Sequence, residues 1–352
     1  MSKTKECHYV PQVYLKQWSN DNKKVNILDK ETSVTENLSI EKNFYERDLY
    51  NIKFGEYLTF INKFPISKKY FIENIQRILD TYNVDIFYKE KLFNLSKQNL
   101  GYLTEEENIE FFNDKGKVNG KNKNKIYSSL KQIKDTTIED LFHDKIENKY
   151  NFTIEKINKH LVENNFNSFE LDTEEINEIR TLMLSMLLRC KETPGLFFQN
   201  QEKNQRKYFL KIIFSNNVSL KKVLNYSERV DFLLDVYNLL TDAQKSKYYI
   251  KYFVDKNYSI FLYYIESKNK IEFCTSDCPC IDIDDALLMP LTPKLLLVAS
   301  NSVIQDKNLI IVEKANESQV IKYNNLILNS LAKFIIFKNK LNKENDKNGR
   351  SN

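Results

Sequence analysis

The sequence predicts an α+β protein in which a mostly antiparallel sheet, formed by an N-terminal hairpin and C-terminal strands, packs against a large helical block. Three observations support this class. Apolar residues recur at three- and four-residue spacing between about residues 56 and 255, as in amphipathic helices. Short runs of β-prone residues lie before residue 50 and after residue 255. The 352 residues include only 6 Gly and 6 Pro, which favours long helices over a many-turned all-β fold.

The first 50 residues are expected to form a short helix followed by a hairpin. Pro11 suits the first turn of a helix because its missing N–H would be unpaired there anyway, and this helix is expected to continue to about Trp18. Residues 25–28 and 33–38 are predicted as two strands joined by a hairpin-sized connection. Because a lone hairpin is marginal in water, we expect it to join the C-terminal strands in one sheet.

The block at residues 56–255 is expected to be helical. One helix is predicted from Thr137 to about Leu161, and another opens at Thr173 with an N-cap residue and an acidic first turn. The Lys-, Asn- and Gly-rich residues 115–125 are expected to form a mobile loop. The region after residue 255 is predicted to contain an amphipathic helix over residues 316–331 and strands at residues 258–265, 271–274, 287–291, 295–299, 309–312 and 334–337.

Length and charge set the broad class of the protein. We expect one domain over residues 1–337 and a polar, disordered tail at residues 338–352. The 53 basic and 48 acidic residues leave a net charge of +5, which permits a nucleic-acid partner but is equally typical of lysines that solvate a helical surface. The N-terminus lacks an apolar signal region, and no run of about 18 apolar residues occurs, so we expect a cytoplasmic protein with no membrane partner.

Three segments of the chain match a known signature. They are His-Tyr-Val-Pro at residues 8–11, Thr-Ser-Asp-Cys-Pro at residues 275–279 and Pro-Leu-Thr-Pro at residues 290–293. With them, the chain resembles the bacterial family called domain of unknown function 4238 along nearly its whole length. Arg189 matches an arginine of that family near a Thr-Pro pair, and Asn324 or Asn325 matches an asparagine on a late helix. The resemblance implies a link with the accessory genes of mobile elements and defence islands, and no established activity.

His8 and the later signature segment supply the candidate catalytic groups. His8 is a candidate general base or phosphate contact, because histidine titrates near neutral pH; the alternative is a structural hydrogen-bonding role. Asp277 is a candidate to orient His8 or bind a metal, and Ser276 is a candidate nucleophile or phosphate contact. Their alternative is a turn whose side chains bond local backbone N–H groups. We expect His8 and Asp277 to lie within one water-bridged hydrogen bond.

Glu147 and Arg189 are candidates for a paired acidic and basic site. Arginine matches carboxylate and phosphate groups, while the alternative is an ordinary ion pair between neighbouring helices. The same alternatives apply to Arg180. The further candidate binding residues are Gln12, Tyr14 and Ser276, in or beside the signature segments, and Asn325 on the late helix.

The cysteine pattern argues against a zinc site. Three of the five cysteines, Cys274, Cys278 and Cys280, have a C-x₃-C-x-C spacing unlike the usual paired knuckle, so we expect no metal site. In a cytoplasmic chain, all five are expected to be reduced thiols. There is no Gly-rich phosphate loop, no G-x-S-x-G elbow and no H-E-x-x-H pair, and the sequence identifies no cofactor.

Two hypotheses for function follow. In the first, the protein is a defence- or toxin-type hydrolase or nuclease that acts on a phosphate-containing substrate, with nucleic acid as one candidate, through His8, Asp277 and an arginine. In the second, it is a non-enzymatic recognition or scaffold protein, and the same polar residues brace the joint between sheet and helices. An open cleft around His8 favours the first hypothesis, and a dry, fully bonded joint favours the second.

Overall fold

A computed structural model describes residues 6–47, 49–54, 67–96, 98–190, 220–266, 271–283, 286–301 and 307–339. The chain divides into two compact units. The first unit comprises Met1–Leu49, Leu141–Asn200 and Asp235–Asn352, and the second comprises Tyr50–Asp140 and Gln201–Leu234. The single domain expected over residues 1–337 stays a prediction. The expected tail, from residue 340 onward, lies outside the described residues, as does the Thr-Pro pair after Arg189.

The α+β class is confirmed by helices and mostly antiparallel strands. The strands are β1 (Glu6–His8), β2 (Lys24–Asp29), β3 (Val34–Ser39), β4 (Tyr45–Arg47), β5 (Ile52–Lys53), β6 (Asp85–Tyr88), β7 (Lys91–Leu92), β8 (Ile109–Asn113), β9 (Gly116–Lys117), β10 (Lys134–Asp135), β11 (Phe169–Glu170), β12 (Ser259–Tyr264), β13 (Thr275–Ser276), β14 (Ile281–Ile283), β15 (Ala286–Thr292), β16 (Leu295–Ser300), β17 (Leu309–Lys314) and β18 (Phe334–Phe337).

The α-helices are α1 (Gln12–Leu15), α2 (Ser67–Tyr82), α3 (Gly120–Lys131), α4 (Thr137–Phe142), α5 (Asn148–Glu163), α6 (Thr173–Arg189), α7 (Leu220–Thr241), α8 (Lys247–Tyr249) and α9 (Glu317–Leu328). Short 3₁₀ turns span Lys16–Trp18, Leu100–Thr104, Glu106–Asn108 and Ala243–Lys245, and π-turns span His143–Glu147 and Ile250–Asp255. None of the helices in the described ranges combines the length and apolar character needed to cross a bilayer.

The N-terminal hairpin pairs with the end of the chain, as predicted. In the first unit β2 lies between its hairpin partner β3 and the last strand β18, and β13 completes the order β13-β18-β2-β3. The prediction of one common sheet is wrong, because the other C-terminal strands form a separate sheet of order β11-β17-β12-β16-β15-β14. The strands β12, β15 and β16 at the centre of this second sheet are almost wholly buried, so the sheet forms part of an apolar core.

Tyr14 on α1 joins these two sheets. Its hydroxyl donates to the carbonyl oxygen of Pro290 on β15 at 2.7 Å and lies 2.5 Å from Oγ1 of Thr275 on β13. Its ring packs against the rings of Trp18, at 4.7 Å between centroids, and Tyr150, at 5.7 Å. The N-terminal signature therefore holds a buried aromatic joint rather than a frayed terminus.

The second unit corrects the expectation of an unbroken helical block. An antiparallel sheet of order β7-β6-β8-β9 occupies residues 85–117, beside α2 and α3. Its strands are too short for a clear signal, although Ile86 on β6 and Phe111 on β8 are both buried. The predicted loop at residues 115–125 is also wrong, because it contains β9 and the start of α3, where the Asn119 side chain accepts the N–H of Asn122.

Several element boundaries differ from the predictions. Pro11 is the N-cap of α1 rather than a residue of its first turn. Asp172, not Thr173, caps α6, in a reciprocal capping box with Glu175. The expected strand at residues 271–274 is absent from that described range. The N–H of Cys274 donates to the side chain of Asn324 instead of to a neighbouring strand.

Candidate functional site

His8 and Gln12 form the N-terminal part of the candidate site. His8 ends β1, opposite Tyr45 of β4, and its ring meets the Tyr45 ring edge-on at 5.7 Å between centroids. Pro11, which has no N–H, starts α1 and places Gln12 in the first turn. The Gln12 amide nitrogen lies 2.8 Å from His8 Nε2. Since an amide nitrogen can only donate, Nε2 is the acceptor in this contact.

Arg189 links His8 to the helical part of the first unit. It stands in the last turn of α6, where a cation is favoured by the helix dipole, and it is only 3% exposed. Its Nη2 donates both to the carbonyl oxygen of His8 and, at 2.7 Å, to Oε1 of Glu147. The guanidinium also lies 4.7 Å from the ring centroid of Phe142. Arg189 therefore fixes the end of β1 against the π-turn.

The guanidinium still has unused hydrogen-bonding capacity. Arg189 Nε and Nη1 are buried and have no hydrogen-bond partner among the described residues. A buried donor without a partner costs about 1–3 kcal/mol, so such groups are uncommon in folded proteins. Both nitrogens are donors of the guanidinium, a group that matches carboxylate and phosphate oxygens.

Glu147 forms the accessible side of the cluster. It closes the π-turn His143–Glu147, and its side chain is 25% exposed. Burial acts to raise the pKa of Glu147, but the charge of Arg189 and its hydrogen bond outweigh burial and hold the pKa below its ordinary value. His143 Nδ1 lies 3.5 Å from Glu147 Oε2. Two of the three histidines, His8 and His143, thus contact the Arg189–Glu147 pair.

Asp277 has a different set of contacts. It is 5% exposed, and its Oδ1 accepts the backbone N–H of Phe334 at 3.0 Å. The Asp277 carboxylate thus bonds to Phe334, whereas the His8 ring bonds to Gln12. Asp277 is nevertheless brought near the cluster, because the residue after it, Cys278, is bonded to the residue after Arg189. The Cα atoms of Asp277 and Arg189 are therefore at most about 12 Å apart.

The hydrogen bonds of the predicted site residues Ser276 and Arg180 are made to groups other than His8, Glu147 and Arg189, and Asn325 is exposed. Ser276 Oγ donates to the carbonyl oxygen of Cys278 at 2.7 Å and accepts its N–H, a local turn. Asn325 is exposed on α9, whereas its neighbour Asn324 bonds Cys274 N–H and the Glu272 carbonyl oxygen. Arg180 lies apart from the cluster, with Nη2 donating to the Lys307 carbonyl oxygen at 2.5 Å.

The cysteines correct one prediction. Cys190 and Cys278 form a disulfide, so the expectation that every cysteine is reduced is wrong for this pair. Cys274 and Cys280 are buried thiols, and burial raises the pKa of Cys274 to about 12. Within the described ranges, no three His, Cys, Asp or Glu side chains converge as metal ligands.

Sequence reasoning missed the residues that connect the candidates. Phe142 under Arg189, Phe334 against Asp277 and the Cys190–Cys278 bond have no local signal, because each joins segments far apart in the chain. The choice between Asn324 and Asn325 needed the rotation of α9, since one residue turns a helix by about 100°.

The fold and the site define an α+β protein in which a buried arginine joins an N-terminal histidine to a carboxylate on a π-turn. The chain matches the family model described as "Protein of unknown function (DUF4238)" over residues 7–341, and it belongs to that family. Neither the curated proteins nor the solved structures gave a match to the chain.

Proposed function

We propose that the protein is a hydrolase of phosphate-containing substrates, with nucleic acid the first class to test. The site is the cluster of His8, Gln12, Glu147 and Arg189. The observation that carries the proposal is the buried Arg189 guanidinium, whose Nε and Nη1 have no partner among the described residues. Each of these nitrogens could donate to a phosphate oxygen, since the guanidinium is the side-chain group best matched to such oxygens.

His8 has the features of a general base in this proposal. Its Nε2 is an acceptor in a half-buried ring, and its ring is oriented by Gln12 and Tyr45. A water molecule that takes the place of the Gln12 amide at Nε2 would give a proton to the ring as its oxygen bonds to phosphorus. The P–O bond to the leaving group then breaks, and the leaving oxygen takes a proton from solvent. Glu147 stays ionised near neutral pH and keeps Arg189 in position. Asp277 is assigned no step, because its carboxylate supports the backbone of Phe334.

Hydrolysis of defined substrates by the full chain tests this proposal. Bis(p-nitrophenyl) phosphate, plasmid DNA and single-stranded RNA are the probes, each with and without a divalent cation. His8→Ala is expected to reduce the rate by about 100-fold or more, the usual loss of a general base. His160→Ala is the matched control, since His160 also lies beside a carboxylate, Glu175, and stacks on an aromatic ring, Phe169. Equal rates for the two variants would contradict the proposal.

A scaffold function is the second candidate, and one observation favours it. Tyr14, Ser276 and Asp277 all direct their polar atoms to backbone groups. Under this alternative, the cluster supports a recognition surface and carries no chemistry. Thermal melts of His8→Ala beside a growth assay on induced expression separate the two. A phenotype that declines only in step with folded protein supports the scaffold, and a lost phenotype at unchanged stability supports hydrolysis.

A further inference from the structure

The Cys190–Cys278 bond occupies a particular place in the first unit. It joins the end of α6 to the turn that follows β13, across 88 residues of sequence. The two Cα atoms are 4.7 Å apart, within the range that a disulfide requires. Both residues are at least nine-tenths buried, at 6% and 4% exposure. The backbone thus presents the two sulfurs to each other from separate elements.

Each cysteine directly follows a residue that anchors another segment. Cys190 follows Arg189, which bonds the His8 carbonyl oxygen and Glu147. Cys278 follows Asp277, whose carboxylate accepts the N–H of Phe334 and whose own N–H donates to the Phe334 carbonyl oxygen at the start of β18. The covalent bond therefore ties the arginine cluster to the sheet that pairs the first hairpin with the last strand.

We propose that Cys190 and Cys278 form a reversible, redox-controlled clamp on the arginine cluster. The oxidised pair holds the last turn of α6 in place and with it Arg189, and the reduced pair releases this restraint. Such a pair is a thiol-modification site that acts on the position of Arg189 and His8. The proposal goes beyond the proposed hydrolase function and does not need it.

The co-reactant is a low-molecular-weight disulfide, such as oxidised glutathione. One protein thiolate attacks a sulfur of the small disulfide and expels a thiolate, which leaves a mixed disulfide on the protein. The second protein thiolate attacks the protein sulfur of that mixed disulfide and expels the other small thiolate. Two electrons pass from the protein thiols to the small disulfide, and the two protons end on the two released thiols. Reduction is the same sequence in reverse.

The other buried cysteines provide matched controls. Cys274 and Cys280 lie in the same segment as Cys278, yet both remain thiols. Each is 1% exposed, and burial raises the pKa of both thiols. Cys190 and Cys278 are buried to a similar degree and are distinguished by their proximity, 4.7 Å between Cα atoms. A chemical reaction that is specific to the clamp must involve Cys190 and Cys278 and leave these two unchanged.

Peptide mapping tests the bond. The folded chain is incubated with oxidised or reduced glutathione, alkylated and digested. We expect a peptide pair linking Cys190 to Cys278 in the oxidised sample and two additional alkylated cysteines in the reduced one. Cys190→Ser removes the linked pair, and Cys274→Ser retains it. A link between other cysteines, no link at all, or a bond that reduced glutathione opens only after unfolding would overturn the proposal.

Histidine NMR tests the clamp separately from any activity. The wild-type chain serves in both redox states, so the result does not depend on whether a variant folds. We expect the ring signals of His8, and its titration midpoint, to change on reduction, while His160 on α5 stays unchanged. Cys190→Ser should resemble the reduced protein under both conditions. Identical His8 signals in the two states would overturn the clamp even if the disulfide forms.

Discussion

Asp277 and Phe334 bond each other in both directions. The carboxylate Oδ1 of Asp277 accepts the N–H of Phe334 at 3.0 Å, and the N–H of Asp277 donates to the Phe334 carbonyl oxygen at 3.1 Å. Phe334 begins β18, and its ring meets that of Phe44 edge-on at 6.0 Å between centroids. Phe44 in turn accepts the N–H of Tyr9. Asp277 thus fixes the start of β18, whose Phe334 ring packs against Phe44, the residue that accepts the N–H of Tyr9.

Replacing Asp277 is expected to destabilise the protein. In Asp277→Ala, the part-buried N–H of Phe334 loses its acceptor, at a cost of about 1–3 kcal/mol in the free energy of unfolding. Asp277→Asn keeps an acceptor oxygen and should recover most of this loss. Urea unfolding of both variants measures the difference, with the exposed Glu36→Ala as a surface control. Equal stabilities for the alanine and asparagine variants would exclude this hydrogen bond as the cause.

Glu147→Gln should lower stability in a pH-dependent way. The Arg189 contact holds the folded-state pKa of Glu147 below its ordinary value of 4.5, so the ionised form is favoured by folding. The contribution is complete above pH 4.5 and is lost as the pH falls through the lowered folded-state pKa. We expect a deficit of about 1–3 kcal/mol at pH 7 that shrinks towards zero on acidification below pH 4.5. Unfolding curves of both proteins across this range give the result, and a constant deficit would contradict it.

Arg189→Lys should lower the free energy of unfolding substantially although it keeps the positive charge. Lysine keeps a positive charge, but it lacks the planar guanidinium that lies over Phe142 while its Nη2 donates to both the His8 carbonyl oxygen and Glu147. The expected loss is about 2–3 kcal/mol. Lys149→Met breaks the exposed pair with Glu178 between α5 and α6 and should cost less than about 1 kcal/mol. Denaturant midpoints of the two variants measure both losses. Similar losses of stability would argue against a specific role for the guanidinium of Arg189.

Tyr14→Phe should weaken the joint between the two sheets. The change removes the only buried hydroxyl bonded to the Pro290 carbonyl oxygen among the described residues and also leaves Thr275 Oγ1 without this contact. We expect a loss of about 1–3 kcal/mol. Tyr45→Phe is the control, because its hydroxyl makes no hydrogen bond to a described residue. Thermal melts that show equal losses for both changes would indicate a general effect of the aromatic ring rather than of the hydroxyl.

The sequence predicts the parts of the fold whose pattern is local. The strand β2 and the buried strands β15 and β16 carry an apolar pattern that is clear in a single window. The strand β3 follows β2 after a hairpin-sized connection. The strand β6, Asp85–Tyr88, is too short to be separated from the flanking helical pattern. The division of the C-terminal strands between two sheets depends on which strands pair, and pairing is a long-range property that periodicity does not contain.

The candidate site shows the same limit. The sequence could select His8, Glu147 and Arg189 as polar residues in notable positions, but it could not assign their partners. One hydrogen-bond partner of the Arg189 guanidinium is the backbone carbonyl oxygen of His8, and no side-chain motif encodes such a contact. Likewise the contact of Asp277 is a backbone N–H on a strand 57 residues away. Such contacts follow from the assembled backbone and not from residue type.

The pairing of β2 with β18 also sets an order of events during synthesis. Asn26–Asp29 pair with Phe334–Phe337, so the first hairpin waits for the last strand to leave the ribosome. At about 5–20 residues per second, the roughly 300 intervening residues take about 15–60 s to be made. Throughout that interval β2 has an open edge, which is a site for chaperone binding or mispairing. Any function that needs this sheet begins only after Phe334–Phe337 have been made and have emerged from the ribosome.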